Sequence, residues 1–116
     1  MARQRDPSFQ VLLTEMRSRD ALKAEGAFHA LLPLANERIE ELIKAFEIEK
    51  LQGVRCWLLE LIGEARAEQA FDVLRKNALS EDEALRGWGI SGLQKLGTPP
   101  ARAFLWEHGL PRDGSD

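Results

Sequence analysis

The chain has 116 residues, of which 44% are apolar and 30% charged, and this is the length and composition of one globular domain. Its net charge is −3. A surface without excess basic charge argues against nucleic acid as the partner, because nucleic-acid binding depends on cations that displace counterions from phosphates.

Cys56 is the single cysteine, so no disulfide can form within the chain. No Cys/His cluster has the spacing of zinc ligands, and we expect neither a metal nor a cofactor. The sequence shows no signal-peptide pattern and no apolar run of about 18 residues. We therefore expect a cytoplasmic protein that does not contact a membrane.

Helical periodicity runs through the chain, whereas strand signals are nearly absent. The first helix is predicted to start at Asp6-Pro7, a cap followed by proline, and to end at residues 17–19. Asp20 is expected to cap the second helix. Pro33 is expected to stop or bend it, because the proline ring blocks the hydrogen bond to the fourth residue back. Asn36 is the predicted cap of the third helix.

The fourth helix is predicted over residues 51–62, with Leu51 on its buried face. Gly63 is expected to close this helix, because glycine adopts the left-handed conformation at low cost. The fifth helix is predicted over residues 66–79. Its buried face is predicted to consist of Ala67, Ala70, Phe71, Leu74 and Ala78.

Ser80 and Glu83 have the spacing of a capping box and predict the start of the sixth helix. Gly97 is expected to close that helix. Thr98-Pro99 then repeats the pattern of a cap followed by proline and predicts the start of the seventh. Residues 110–116 combine proline, glycine and charges, and are predicted to form a flexible tail.

Two patterns recur at long intervals. Arg55-x-Trp57 matches Arg86-x-Trp88 at an offset of 31 residues, and Ile62-Gly63 matches Leu96-Gly97 at an offset of 34. These matches predict a repeating helical hairpin of 31–34 residues, with a small change of length in its first helix. The predicted units are an N-terminal capping helix at 7–17 and hairpins at 20–47, 51–79 and 81–108.

In these residues the chain resembles the short HEAT-like repeats of bacteria, the kind also seen in phycobilin lyase subunits. Leu85-Arg86, Leu96-Gly97 and Pro100-Ala101 match the family pattern, and Val54-Arg55 with Ile62-Gly63 matches it with about one turn fewer. The resemblance implies an all-α, armadillo-like, right-handed α-solenoid. It also implies a protein without chemistry of its own that binds another protein along one face.

In such stacks the second helix of each hairpin lines the concave face. A polar row recurs on these helices at the 31-residue offset: Glu37, Glu41 and Lys44 match Glu68, Asp72 and Arg75. We predict that this row binds the partner protein, with Glu40, Gln69 and Lys76 beside it. The alternative is a solvated face with ion pairs between Glu41 and Lys44 and between Asp72 and Arg75.

Trp57 and Trp106 are predicted anchors of a protein interface, because exposed tryptophan often dominates binding energy. The alternative is that they seal contacts between repeats. Arg55 and Arg86 each follow an apolar residue near the start of a repeat helix. The resemblance implies that they form a structural ladder by bonding acidic turns of the neighbouring repeat, with Asp82 as one candidate partner.

Residues 87–92 spell G-x-G-x-x-G. A dinucleotide site would need a strand before this stretch, whereas a capping box precedes it. We expect the glycines to lie inside a helix and to permit close packing against a neighbouring helix. Each interior glycine costs about 1 kcal/mol relative to alanine, so a tight contact must offset the loss.

Catalytic signals are poor, because His29 and His108 have no nucleophile or carboxylate at motif spacing and Ser91 lacks a nucleophile elbow. The leading hypothesis is a non-enzymatic interaction module or scaffold for another protein. One alternative is a lyase-like or chaperone-like subunit that holds a cofactor-bearing client. Another is a regulatory or immunity-type inhibitor. Apolar ends of the stack would allow two copies of the chain to associate.

Overall fold

The computed structural model describes residues 7–111, and every regular element in this range is helical. The α-helices are α1 (Pro7–Glu15), α2 (Ala21–Leu31), α3 (Ile39–Ile48), α4 (Gln52–Glu64), α5 (Phe71–Ala78), α6 (Glu83–Leu96) and α7 (Pro99–Glu107). Short 3₁₀ helices at Leu32–Leu34 and Glu68–Ala70 precede α3 and α5. The predicted all-α class is confirmed for these residues. None of their helices has the length and apolar character that crossing a bilayer requires.

Side-chain caps start α2 and α7 as predicted. The Asp20 carboxylate accepts hydrogen bonds from the backbone N–H groups of Leu22 and Lys23 at 3.1 and 3.4 Å. Thr98 Oγ1 accepts from the N–H group of Ala101 at 3.3 Å. Both bonds satisfy N–H groups that have no partner inside the helix, so both predicted caps are confirmed.

Two other predicted caps are wrong. Asp82 caps α6, because its carboxylate accepts from Leu85 N–H at 3.0 Å, while Ser80 Oγ accepts from Asp82 N–H at 2.9 Å. Asn36 does not cap α3, which has no side-chain cap. Its Nδ2 instead donates to the carbonyl oxygen of Ala65 at 2.8 Å, so its side chain connects the turn before α3 to the end of α4.

Short 3₁₀ helices lie at the end of α2 and at the start of α5. α2 ends at Leu31 and Pro33 lies in the 3₁₀ helix that follows, so the prediction that Pro33 stops or bends the helix is confirmed. The fifth predicted helix is shorter than expected: α5 starts at Phe71, and Glu68–Ala70 ahead of it is a 3₁₀ helix.

The left-handed residues after α4 and α6 are Arg66 and Gly97, with φ of 52° and 63°. Gly97 closes α6 as predicted. Gly63 does not close α4, because it is buried inside that helix, where an added Cβ would lie 2.9 Å from the Cα of Gly92. That prediction is wrong: Gly63 allows two helices to approach closely. Arg66 takes the left-handed position, which costs a non-glycine residue about 1–2 kcal/mol.

Equivalent structural positions recur every 31 residues. Asp20, Leu51 and Asp82 immediately precede α2, α4 and α6 at this spacing, and the left-handed Arg66 and Gly97 have the same separation. Two series of buried residues follow it as well: Leu31, Ile62 and Leu93, and Ile39, Ala70 and Ala101. Gly63 lies inside α4 whereas Gly97 closes α6, so the two glycines are not at equivalent positions and the predicted match at an offset of 34 residues is wrong.

α4 lies at the centre of the core. Four of its leucine and isoleucine side chains are at most 2% exposed, and they are Leu58, Leu59, Leu61 and Ile62. α3 and α6 pack against α4, α5 and α7 pack against α6, and α1 packs against α2. Because neighbouring helices cover α4 on more than one side, α4 carries apolar residues on more than one side.

Two glycines of the G-x-G-x-x-G stretch lie at helix contacts, as predicted. An added Cβ on Gly89 would lie 2.5 Å from the backbone nitrogen of Ala78 and 2.9 Å from the carbonyl oxygen of Leu74, both in α5. An added Cβ on Gly92 would overlap a methyl group of Leu74. Gly87, by contrast, faces open space. Close packing therefore explains Gly89 and Gly92 but not Gly87.

Residues 110 and 111, the described part of the predicted tail, are hydrogen-bonded to α7 and α6. Leu110 N–H donates to the carbonyl oxygen of Leu105 at 2.8 Å, and Gln94 Nε2 donates to the carbonyl oxygen of Pro111 at 3.1 Å. The rest of the predicted tail, residues 112–116, lies outside the described residues, as does Asp6, the predicted cap of the first helix.

Candidate functional site

A groove of about 430 Å³ lies between α3 and α5, which are the second helices of the first two predicted hairpins. We call it the α3–α5 groove. Its lining comes from α3, from the start of α4 and from α5 with its preceding 3₁₀ helix. The lining residues are Ile43, Phe46, Glu47, Arg55, Gln69, Asp72, Val73, Lys76 and Asn77.

The groove combines an apolar base with polar edges. Phe46 and Val73 are 3% and 8% exposed, whereas Glu47, Asp72 and Lys76 are exposed to solvent. A depression of this composition can bury an apolar side chain and bond the polar groups beside it. Apolar centres with polar rims are also typical of protein–protein interfaces.

Arg55 is held on the groove wall by the turn that precedes its helix. Its Nη1 donates to the carbonyl oxygens of Phe46 and Glu49 at 3.3 and 3.1 Å, and its guanidinium carbon lies 4.2 Å from the centre of the Phe46 ring. Arg86, 31 residues further on, donates Nη1 to the carbonyl oxygen of Ser80 at 2.9 Å. Arg55 thus bonds carbonyls at the end of α3 and in the turn after it, and Arg86 bonds one in the turn before α6. None of these acceptors is an acidic side chain.

Asp82 bonds a glutamine instead of Arg55 or Arg86. Besides capping α6, its carboxylate accepts a hydrogen bond from Gln52 Nε2 at 2.6 Å, which connects the starts of α4 and α6. Burial, and after it the charge of Asp82, raises the pKa of the Cys56 thiol. A raised pKa keeps this thiol protonated at neutral pH, and a protonated thiol is a poor nucleophile.

The predicted polar row and the α3–α5 groove share one residue, Asp72. Asp72 pairs with Arg75 at 3.0 Å, as predicted for a solvated face. Glu41 pairs with Arg38 at 3.0 Å instead of with Lys44. Three other members of the row are exposed and do not line the groove: Glu37, Lys44 and Glu68.

Glu47 and Asn77 line the groove but were not predicted as site residues. Each follows an inward-facing apolar residue by four positions, since Glu47 comes after Ile43 and Asn77 after Val73. Residues four apart lie on the same face of a helix. A search for polar residues one turn beyond the apolar stripe, instead of for a recurring charge row, would have found both.

The two predicted tryptophan anchors do not line this groove. Trp57 is half-buried, and its ring centre lies 5.2 Å from that of Phe28 in α2. This contact packs Trp57 between α4 and α2, which favours the alternative that Trp57 seals a contact between helices. Trp106 in α7 is 68% exposed, which is the exposure an interface anchor needs.

A second, more apolar depression borders α1, the end of α3 and the start of α4. It consists of two cavities of about 210 and 460 Å³ that share Met16, Arg17 and Val54. Ile48 and Leu51 border it and are 72% and 54% exposed. The prediction that Leu51 faces the core is wrong, because Leu51 stands ahead of α4, at the position of the capping aspartates that precede α2 and α6.

Glu49 connects the turn between α3 and α4 to the turn that follows α1. Its side chain is only 8% exposed, and it forms an ion pair with Arg17. The same carboxylate accepts hydrogen bonds from the backbone N–H groups of Lys50 and Leu51 at 3.2 and 3.0 Å. One buried carboxylate therefore orders the turn that also carries the carbonyl bonded by Arg55.

The histidines make contacts within their own helices. His29 Nε2 lies 3.9 Å from an oxygen of Glu25, and His108 Nδ1 lies 3.0 Å from the carbonyl oxygen of Phe104. Within residues 7–111, the His, Cys, Asp and Glu side chains form no group of three or more that could hold a metal ion.

In comparisons of the chain with protein-family models, with curated proteins and with solved structures, no match was found.

Proposed function

We propose that this chain is a short HEAT-like repeat protein that binds another protein in the α3–α5 groove and has no catalytic activity of its own. The observation that carries the proposal is the groove itself, which has an apolar base and polar edges and lies between the second helices of two successive units. Concave surfaces of stacked helices are binding surfaces in solenoid proteins.

The 31-residue recurrence supports a stack of similar helical units. Gly63 and Gly92 bring α4 and α6, the first helices of two successive units, into close contact. α3 packs on α4 and α5 packs on α6, so the second helix of each unit contacts the first helix of the next. Stacking of this kind covers an apolar face that a lone helix pair would expose.

A regulatory or immunity-type inhibitor would use the same groove, since it would also bind one protein tightly. A lyase-like or chaperone-like subunit would use it for a cofactor-bearing client. These roles differ in the identity of the bound protein, and the groove is common to all of them.

The test fills the groove with a large side chain at Gln69, a residue that carries no charge. Gln69 and Glu68 are adjacent, exposed residues, but only Gln69 lines the groove. The immobilised native chain first captures a partner from native lysate, and the partner is identified by mass. We then expect Gln69→Trp to weaken binding of the purified partner by about 100-fold, because an indole would occupy the space of the bound segment.

Glu68→Trp is the matched control, and it should bind as the native chain does. Both variants should keep the native far-UV circular dichroism spectrum, because exposed substitutions usually change stability by less than about 0.5 kcal/mol. Glu68 belongs to the predicted polar row. Weaker binding by Glu68→Trp together with normal binding by Gln69→Trp would move the site from the groove to that row.

A further inference from the structure

We propose that the α3–α5 groove recognises a carboxylate, and that Arg55 is the residue that binds it. This inference rests on the proposed function and names the chemistry of the partner. The partner segment would place an apolar side chain on Phe46 and Val73, with a carboxylate next to it. The carboxylate would come from an acidic side chain or from the C-terminus of the partner.

Arg55 has hydrogen-bond donors to spare. A guanidinium carries five N–H groups, and the two on Nη1 are directed to the carbonyl oxygens of Phe46 and Glu49. Among residues 7–111, no acceptor bonds the N–H group of Nε or the two of Nη2. Because a carboxylate accepts two parallel N–H bonds from an arginine, these donors suit a bidentate contact.

The guanidinium is also held in place before any ligand arrives. Two carbonyl bonds and the Phe46 ring restrict its rotation. A donor that is already positioned loses less conformational entropy on binding. Arg86 lacks the ring contact, because Asn77 stands where the earlier unit has Phe46. The guanidinium of Arg55 is therefore held more firmly than that of Arg86, although the two arginines lie 31 residues apart at matching positions.

The charges of the groove favour a negative ligand. Arg55 and Lys76 are its cationic lining residues, and Glu47 and Asp72 are its anionic ones. Asp72 is already compensated by Arg75 at 3.0 Å. With Asp72 paired, the cationic lining residues Arg55 and Lys76 face one remaining lining carboxylate, that of Glu47. The groove thus has an excess of positive charge, although the whole chain has a net charge of −3. A carboxylate bound at Arg55 would restore the balance.

The test uses small probes on the full, ¹⁵N-labelled chain. N-acetyl-leucine supplies an apolar side chain with a terminal carboxylate. N-acetyl-leucyl-aspartic acid α-amide, whose side-chain carboxyl is free, supplies the side-chain version. We expect one or both to shift the Nε–Hε signal of Arg55, with a Kd on the order of 1 mM. The preferred probe identifies the source of the carboxylate. The Nε–Hε signal of Arg86 serves as the internal reference.

N-acetyl-leucinamide, which lacks the carboxylate, should leave the Arg55 signal in place. An Arg55 signal that does not respond to either carboxylate, or that moves equally with the amide, would overturn the inference. If Gln69→Trp abolishes partner capture while the Arg55 signal stays silent, only this inference fails. Normal capture by Gln69→Trp overturns the proposed function itself.

Discussion

Replacing Gly89 by alanine is expected to lower the free energy of unfolding by about 3 kcal/mol, because overpacking at a rigid contact costs 1–3 kcal/mol or more. The added Cβ would lie 2.5 Å from the backbone nitrogen of Ala78 and 2.8 Å from the carbonyl carbon of Asn77. These are backbone atoms of α5, so no side-chain rotation can relieve the overlap. In a domain of this size the melting temperature should fall by about 10 °C.

Gly87→Ala is the matched control, two residues earlier in the same helix. Nothing lies within 4 Å of an added Cβ on Gly87. Alanine should therefore stabilise α6 by about 0.5–1 kcal/mol, since glycine is a poor helix former. The check is urea unfolding of both variants followed by circular dichroism. Equal and small effects at the two positions would contradict the packing of α6 on α5.

Glu49→Ala is expected to cost about 2 kcal/mol of folding free energy, which is the range for hydrogen bonds to a charged group. The substitution removes the ion pair with Arg17 and the acceptor for the N–H groups of Lys50 and Leu51. The Arg17 side chain is 48% exposed, so water can solvate it after the change. This keeps the loss below the 3–5 kcal/mol seen for fully buried pairs.

Glu47→Ala provides the comparison, because Glu47 lies two residues earlier and is exposed. Its effect on stability should stay within about 0.5 kcal/mol. A double-mutant cycle between Arg17→Ala and Glu49→Ala would isolate the energy of the pair itself. If Glu49→Ala unfolds at the same urea concentration as Glu47→Ala, then Glu49 does not hold the α3–α4 turn.

Signals that depend on a few neighbouring residues predicted the helix boundaries well. Asp20, Thr98, Pro33 and Gly97 act on the backbone within one turn of themselves, and all four lie where they were expected. The start of α6 was missed by two residues because Ser80 and Asp82 are both good caps. Local chemistry alone did not show that the carboxylate of Asp82 would reach the N–H group of Leu85.

Features that depend on contacts across the chain were missed. Gly63 looks like a helix terminator from its neighbours, and only the approach of α6 explains its burial. Leu51 fits an apolar stripe, but it precedes α4 and stays exposed. Glu47 and Asn77 become groove residues only when α3 and α5 lie side by side. No pattern within either helix specifies that pairing.

The central claim is that a partner protein binds between α3 and α5. Its most direct test is the change in backbone amide signals of the ¹⁵N-labelled chain when the purified partner is added. We predict that the largest changes fall on groove residues such as Glu47, Asp72 and Asn77. Changes centred instead on Ile48, Leu51 and Trp57 would place the partner in the apolar depression beside α1 and contradict the account.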